Sequence, residues 1–348
     1  MERCSFGKTK DGREASLVTM KNENGMTVSV TDYGATLVSI RVPEGDKTTD
    51  VVLGYDSAAD YEKNDGFLGA VIGRNGNRIG TASFTLNGRT FQLEKNEKEN
   101  NLHSGSSGFD KRIWNTELLE EENSVRFTLH SPDGDEGFPG NLDVTVTYTL
   151  TEENGVRIHY QAKGDQDTIV NLTNHSYFNL AGHDRKGTIE DHVLWVDADF
   201  FTPTDADSIP TGELRPVKGT PFDFTVPKRI GLEIDVEDEQ LKSAGGYDHN
   251  MVLNRQGEGV RKIASVSCPA RCMAMDVYSD LPGVQFYAGN GLGDTKIGKG
   301  GAAYERRRGF CLETQFYPDA IHHAGFPSPV LKAGEDYDTV TEFVFHRE

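Results

Sequence analysis

Leu142-Asp143-Val144-Thr145-Val146-Thr147-Tyr148-Thr149-Leu150 alternates without a break: Leu142, Val144, Val146, Tyr148 and Leu150 face one way, Asp143, Thr145, Thr147 and Thr149 the other. A period of two residues sends successive side chains to opposite faces, so this is a strand with one face buried and one wet. Strands of that kind belong to antiparallel sheets, because strands of parallel sheets are covered on both faces and read as continuous apolar runs. Residues 156–162 repeat the pattern just after the turn residues Glu153-Asn154-Gly155. Upstream, Val125, Phe127 and Leu129 alternate with Arg126, Thr128 and His130, and Met26, Val28 and Val30 with Thr27, Ser29 and Thr31. Between Phe84/Leu86 and Phe91/Leu93 lies Asn87-Gly88, a pair suited to the positive φ angles of a two-residue hairpin turn.

Helical patterns are weak by comparison. Residues 57–63 predict one turn or two, and the acidic stretch 230–243 has no clear period. Neither is long enough to cover a parallel sheet. With 38 Gly and 13 Pro spread as punctuation, the chain predicts many short strands joined by loops, an all-β, large antiparallel β-sandwich. No linker, low-complexity run or repeat divides it, so residues 1–348 are expected to form one domain.

Against 36 Lys plus Arg stand 55 Asp plus Glu, a net charge of −19, which repels nucleic acid and anionic lipid. The opening MERCSFGKTKDG has no apolar signal core and no later stretch is long enough to span a bilayer, so a soluble, cytoplasmic protein with no membrane or nucleic-acid partner is expected. Cys4, Cys268, Cys272 and Cys311 are too few and scattered for a disulfide framework, so reduced thiols are expected.

Several segments carry chemistry-bearing groups. In Gly309-Phe310-Cys311-Leu312-Glu313-Thr314-Gln315-Phe316, alternation puts Glu313 and Gln315 on one strand face and Leu312 and Thr314 on the other. A carboxylate there is either a general base with a raised pKa or a polar-face residue of the sheet. Asn171-Leu172-Thr173-Asn174-His175-Ser176-Tyr177-Phe178-Asn179-Leu180 surrounds one histidine with hydrogen-bonding groups; His175 is either an acid–base group or a satisfied core residue. Leu102-His103-Ser104-Gly105 and Gly73-Arg74-Asn75-Gly76-Asn77-Arg78-Ile79-Gly80 either line a polar cleft or form ordinary surface loops. Gly246-Tyr247-Asp248-His249-Asn250 and Pro282-Gly283-Val284-Gln285-Phe286-Tyr287 mix polar side chains with aromatics, as a sugar site requires and as strand cores also show. No histidine spacing matches a metal motif, and His322-His323 in an extended segment point apart, so no metal is expected. Gly289-Asn290-Gly291-Leu292-Gly293 lacks the strand-to-helix setting of a dinucleotide loop, and no cofactor is expected.

Taken together and in order, GRNGNRI (73–79), Leu102-His103, SPDGDEGFPG (131–140), NLTNHSYFNL (171–180), Gly246 to Asn250 and Phe310 to Gln315 resemble the aldose 1-epimerase (galactose mutarotase) family over nearly the whole chain. The resemblance implies a supersandwich of β-sheets with an open cleft on one sheet, and a cofactor-free isomerase acting on a small monosaccharide as monomer or weak homodimer. It implies Glu313 as the general base toward the anomeric hydroxyl and His175 as the general acid toward the ring oxygen. His103, Arg78 and Asp248 resemble the substrate-orienting residues, with Asn77 and Gln285 as further hydrogen-bond partners and Arg74 as an additional candidate. Ser104-Gly105 after the motif histidine and Asn75-Gly76 in the first motif depart from the family pattern and leave the shape of the sugar-binding rim open. Two other functions fit the same fold: a silent sugar-binding protein, and a hexose-6-phosphate 1-epimerase, which needs cations at the cleft. Arg306-Arg307-Arg308 is the candidate cluster; its alternation predicts a solvated charge run.

Overall fold

The computed structural model describes residues 1–63, 66–254, 257, 259–293 and 297–347. Leu142–Leu150 is the third strand of a nine-stranded sheet, and its five odd-facing side chains, Leu142 through Leu150, are buried while Asp143 and the threonines are not. Burial of each apolar side chain of this kind stabilises by roughly 1.5–3 kcal/mol, which fixes the register because a one-residue slip would turn the whole set to solvent. Asn115–Leu119, Ser124–Ser131, Leu142–Leu150 and Gly155–Gly164 run as a meander. The C-terminal strand Asp336–Arg347 then inserts beside Gly155–Gly164 and joins it to Met273–Ser279, Arg261–Cys268, Val193–Val196 and Lys228–Arg229, all antiparallel.

Two five-stranded antiparallel sheets pack on the inner face of this large one. The first runs in chain order from Glu2–Lys8 to Lys47–Asp50; the second has the order Arg215–Pro216, Ala198–Phe201, Asp248–Leu253, Gly283–Tyr287, Cys311–Gln315. Val28, Leu37 and Ile40 from the first and Met251, Phe286 and Leu312 from the second share one core with Val146, Ile158 and Phe343 of the large sheet. Polar ties cross the same interface: the Tyr148 hydroxyl donates to Ala35 O at 2.8 Å, and the Thr314 and Thr341 hydroxyls meet. The fold is therefore the antiparallel sandwich that the alternation predicts.

Local details follow from residue chemistry. Ser83–Leu86 and Arg89–Gln92 pair as a hairpin with Asn87 at φ 51° and Gly88 at φ 77°, as the Asn-Gly pair predicts. Ala58–Lys63 is the expected short helix. In the ambiguous 230–243 stretch only the end is α-helical: the Asp238 side chain caps Glu239–Ala244 by accepting the Gln240 and Leu241 N–H groups, and Gly245 at φ 69° ends it. His322 and His323 do not point apart as expected, because the chain curls into a 3₁₀ turn there and brings both rings to the Asp319 carboxylate, at 2.6 and 3.4 Å.

One glycine ties the sheets to the site. Gly69 has φ +71°, its carbonyl accepts Leu37 N–H and its N–H donates to His175 O, both at 2.8 Å. A methyl group there would lie 2.1 Å from Leu37 O. Gly69→Ala is expected to destabilise the protein by roughly 3 kcal/mol, the sum of left-handed strain and overpacking, seen as a fall of several degrees in the thermal unfolding midpoint. An unchanged midpoint would show that this junction relaxes freely.

Candidate active site

The second five-stranded sheet buries Leu312 and Phe286 in the core, so its other face is free to carry polar groups. Glu313 lies on that face, opposite Gln285 in the neighbouring strand, with Asp248 one strand further over. Loops from the opposite side complete a cleft of about 260 Å³, the scale of one monosaccharide ring more than of a drug-sized ligand. Asn77, Arg78, His103, His175, Asp248 and Glu313 all line it, so the fold brings together residues scattered over more than two hundred positions. Gln285 stands behind: its side-chain amide donates to Asp248 Oδ1 at 2.8 Å and its carbonyl accepts from Gln315 at 3.2 Å.

His175 faces Glu313, with Nε2 3.7 Å from Oε1. The backbone around it is pinned by the asparagines of its motif. Asn174 donates to Gly69 O at 2.7 Å and accepts Ser176 N–H, Asn171 accepts Phe316 N–H at 2.9 Å, and Asn179 donates to Arg308 O at 2.8 Å. The polar density of 171–180 is thus mostly scaffold that fastens the histidine to the Glu313 strand. The imidazole is flanked by near-parallel rings, Tyr177 at 5.0 Å and Phe67 at 5.8 Å. Its Nδ1 lies 3.5 Å from Cys311 Sγ. Burial, reinforced by the negative charge of Glu313 and Asp248, pushes the Cys311 thiol well above its ordinary pKa. With Nδ1 against Cys311 Sγ, Nε2 is the nitrogen that faces Glu313 and is left to exchange a proton in the cleft.

His103 sits at φ 52° with its Nδ1 accepting the Asn77 N–H at 3.1 Å. Burial, with the nearby charges of His175, Arg78 and Lys111, holds it neutral by lowering its pKa well below the usual value. The neutral ring must then carry its proton on Nε2, a second donor. Ligand atoms of His103, His175 and Glu313 lie within 4.8 Å of one another, close enough to suggest a metal trio. That tautomer leaves His103 no lone pair for an ion, since Nδ1 is engaged and Nε2 is protonated.

Arg78 opposes the negative charge of the cleft. Burial, then the proximity of Asp248, pushes the Glu313 carboxyl well above the ordinary carboxylate range, against the pull of Arg78. Asp248 is also raised, chiefly by burial. Among the described residues Glu313 Oε2 is buried without a hydrogen-bond partner, an acceptor open to an incoming hydroxyl. The Arg78 guanidinium is gripped by both oxygens of Glu97, at 2.6 and 2.8 Å, which fixes its plane. Sequence reading missed Glu97, which lies in the charged stretch 94–99 with nothing local to mark it. It also missed Phe67, whose ring edges His103 at 4.6 Å.

Two arginine expectations are corrected. Arg74 does not reach the cleft: its guanidinium is buried and donates to the carbonyls of Ser131, Pro132, Pro139 and Gly140, so it holds the 131–140 loop together. Arg306 to Arg308 are neither at the cleft nor a solvated run. Arg307 and Arg308 are buried, the first paired with Glu190 and Asp235 and the second donating to Gly187 O, while Arg306 donates to Gly245 O. The cation cluster that a phosphorylated hexose needs is therefore not formed there.

Among known proteins, a sequence model of the aldose 1-epimerase family matches residues 16–344. Galactose mutarotase of Bos taurus is 43% identical over 344 residues, covering 99% of this chain and 98% of that protein. Aldose 1-epimerase of Escherichia coli K12 is 40% identical over 341 residues, 97% of each. In three dimensions, galactose 1-epimerase from Lactobacillus acidophilus NCFM superposes with a TM-score of 0.87 at 30% identity, covering 99% of this chain and 98% of that one. An aldose epimerase homologue from C. elegans also gives 0.87, at 28% identity, with 96% and 99% covered.

Proposed function

The chain belongs to the aldose 1-epimerase family, and from that premise we propose that it interconverts the α and β anomers of free hexoses such as galactose and glucose, opening and closing the ring with Glu313 and His175. What carries this reading is the side-by-side placement of the pair, 3.7 Å apart in a cleft of monosaccharide size. In a hemiacetal the anomeric hydroxyl and the ring oxygen are bonded to the same carbon, so a base for one and an acid for the other must stand next to each other.

Glu313 takes the proton of the anomeric hydroxyl while His175 Nε2–H gives a proton to the ring oxygen, and the C1–ring-oxygen bond breaks to leave an aldehyde and a free hydroxyl. Rotation about the C1–C2 bond presents the other face of the aldehyde. The hydroxyl then adds to C1, returning its proton to His175, as Glu313 gives its proton to the former carbonyl oxygen. No net redox change and no covalent intermediate arise. The raised pKa makes Glu313 a stronger base than an exposed carboxylate, and Arg78 limits the accumulation of negative charge beside Asp248. His103 Nε2–H, Asn77 and Asp248 grip further hydroxyls, and Gln285 holds Asp248 in place.

The direction of the pKa shift predicts a pH profile. Only ionised Glu313 accepts the proton, so kcat/KM must fall as pH drops through its pKa, at a pH above the usual carboxylate range. Asp248→Asn removes a charge that raises it, so the acid limb is expected to move to lower pH while KM rises. A limb that stays put in this variant would mean that Glu313 does not set it. To separate free from phosphorylated hexoses, α-D-galactose and glucose 6-phosphate are compared under one set of conditions. Acceleration with galactose supports the proposal; acceleration with glucose 6-phosphate alone overturns it.

A further inference from the structure

At the Lys47–Asp50 edge of the first five-stranded sheet, three arginines converge on a hollow of about 220 Å³: Arg41 from strand Thr36–Glu44, Arg185 after the turn at Gly182, and Arg271 from the turn Pro269–Arg271. In a chain of net charge −19 this is an unusual gathering. Two of the three acids at the site are already neutralised. Asp50 lies 2.8 Å from the buried Lys299 ammonium and accepts from Ser39, and Glu44 lies 2.8 Å from Arg271 Nη2 and accepts from Thr49. Asp184, exposed at the rim, is the third. Four cations therefore face three acids, and the surplus is concentrated in donors with nothing to bind. Neither Arg41 nor Arg185 has an ion pair or side-chain hydrogen bond among the described residues, and Arg271 Nε is buried with no acceptor.

A buried N–H without an acceptor is costly, and guanidinium forks match tetrahedral oxyanions two bonds at a time. Thr48, which shares the lining, adds a hydroxyl donor. We propose that this hollow binds a phosphate dianion, either free phosphate or the phosphate group of a small phosphomonoester. None of its lining residues belongs to the cleft, so a sugar phosphate held here does not present its anomeric carbon to Glu313. Scaffold links the two places: His183 N–H donates to Asp50 O, and three residues on Leu53 N–H donates to the carbonyl of Tyr177, which flanks His175.

The test is calorimetric titration of the full chain, at low ionic strength and with galactose present in excess to fill the cleft. Inorganic phosphate and glucose 6-phosphate are titrated separately into wild type and into Arg41→Ala/Arg185→Ala. Both substituted residues are exposed, so the double variant is expected to keep wild-type mutarotation, which verifies its fold. Saturable 1:1 binding that weakens at least about tenfold in the double variant is expected, given the strength of hydrogen bonds to charged groups. Equal affinity for both probes identifies phosphate itself as the ligand; tighter binding of the ester identifies a phosphomonoester. Failure of both probes to saturate, or equal affinity in wild type and double variant, overturns the proposal whatever the outcome at the cleft.

Discussion

Glu313→Gln is expected to lower the turnover number for mutarotation by at least about 100-fold, the scale of a lost general base, with the fold intact. Glutamine keeps the shape and volume of the side chain, which is buried in the strand Cys311–Gln315. It removes the negative charge and with it the ability to accept the anomeric proton. Stability should not suffer, because the substitution also removes the unfavourable proximity of two raised carboxyls, Glu313 and Asp248. Polarimetry gives the rate and circular dichroism the fold. A variant that turns over near the wild-type rate would strip Glu313 of its assigned part.

His175→Asn is the second large effect, again at least about 100-fold. Asparagine retains a donor but cannot exchange a proton with the ring oxygen at neutral pH. The backbone should hold its course, since His175 N–H donates to Ala70 O and its carbonyl accepts from Gly69, neither bond depending on the side chain. Some packing is lost where the imidazole now meets Tyr177, Phe67 and Cys311, so a modest drop in the unfolding midpoint should accompany the kinetic loss. Because the acid and base act on one carbon in one step, the Glu313→Gln/His175→Asn double variant should be little slower than the worse single variant. Losses that multiply would indicate two independent contributions.

How far the chain could be read without coordinates depended on whether a signal was local. The strand Leu142–Leu150 was legible because one face is buried and the other wet, so hydrophobicity carries the period of two. The Asn87-Gly88 hairpin was legible because two consecutive positive φ angles select those residues. Glu313 was correctly placed on a strand, yet residue chemistry alone left it between base and bystander; what distinguishes the two is its distance from His175, set by contacts between segments about 140 positions apart. Glu97 was invisible for the same reason, since its only mark is the arginine it grips nineteen residues earlier. Arg307 and Arg308 misled because a run of charges normally seeks water, whereas here Glu190, Asp235 and the Gly187 carbonyl come to meet them. Arg74 misled in the opposite way: it sits in a site-bearing motif but serves the loop 131–140. In each case the deciding partner is distant in sequence.

The most direct measurement is the optical rotation of freshly dissolved α-D-galactose, followed with and without the purified protein after dialysis against a chelator. A faster approach to an unchanged final rotation is expected, with the acceleration proportional to protein concentration and largely abolished by Glu313→Gln. A time course that the wild-type protein leaves unaltered for both galactose and glucose would contradict it.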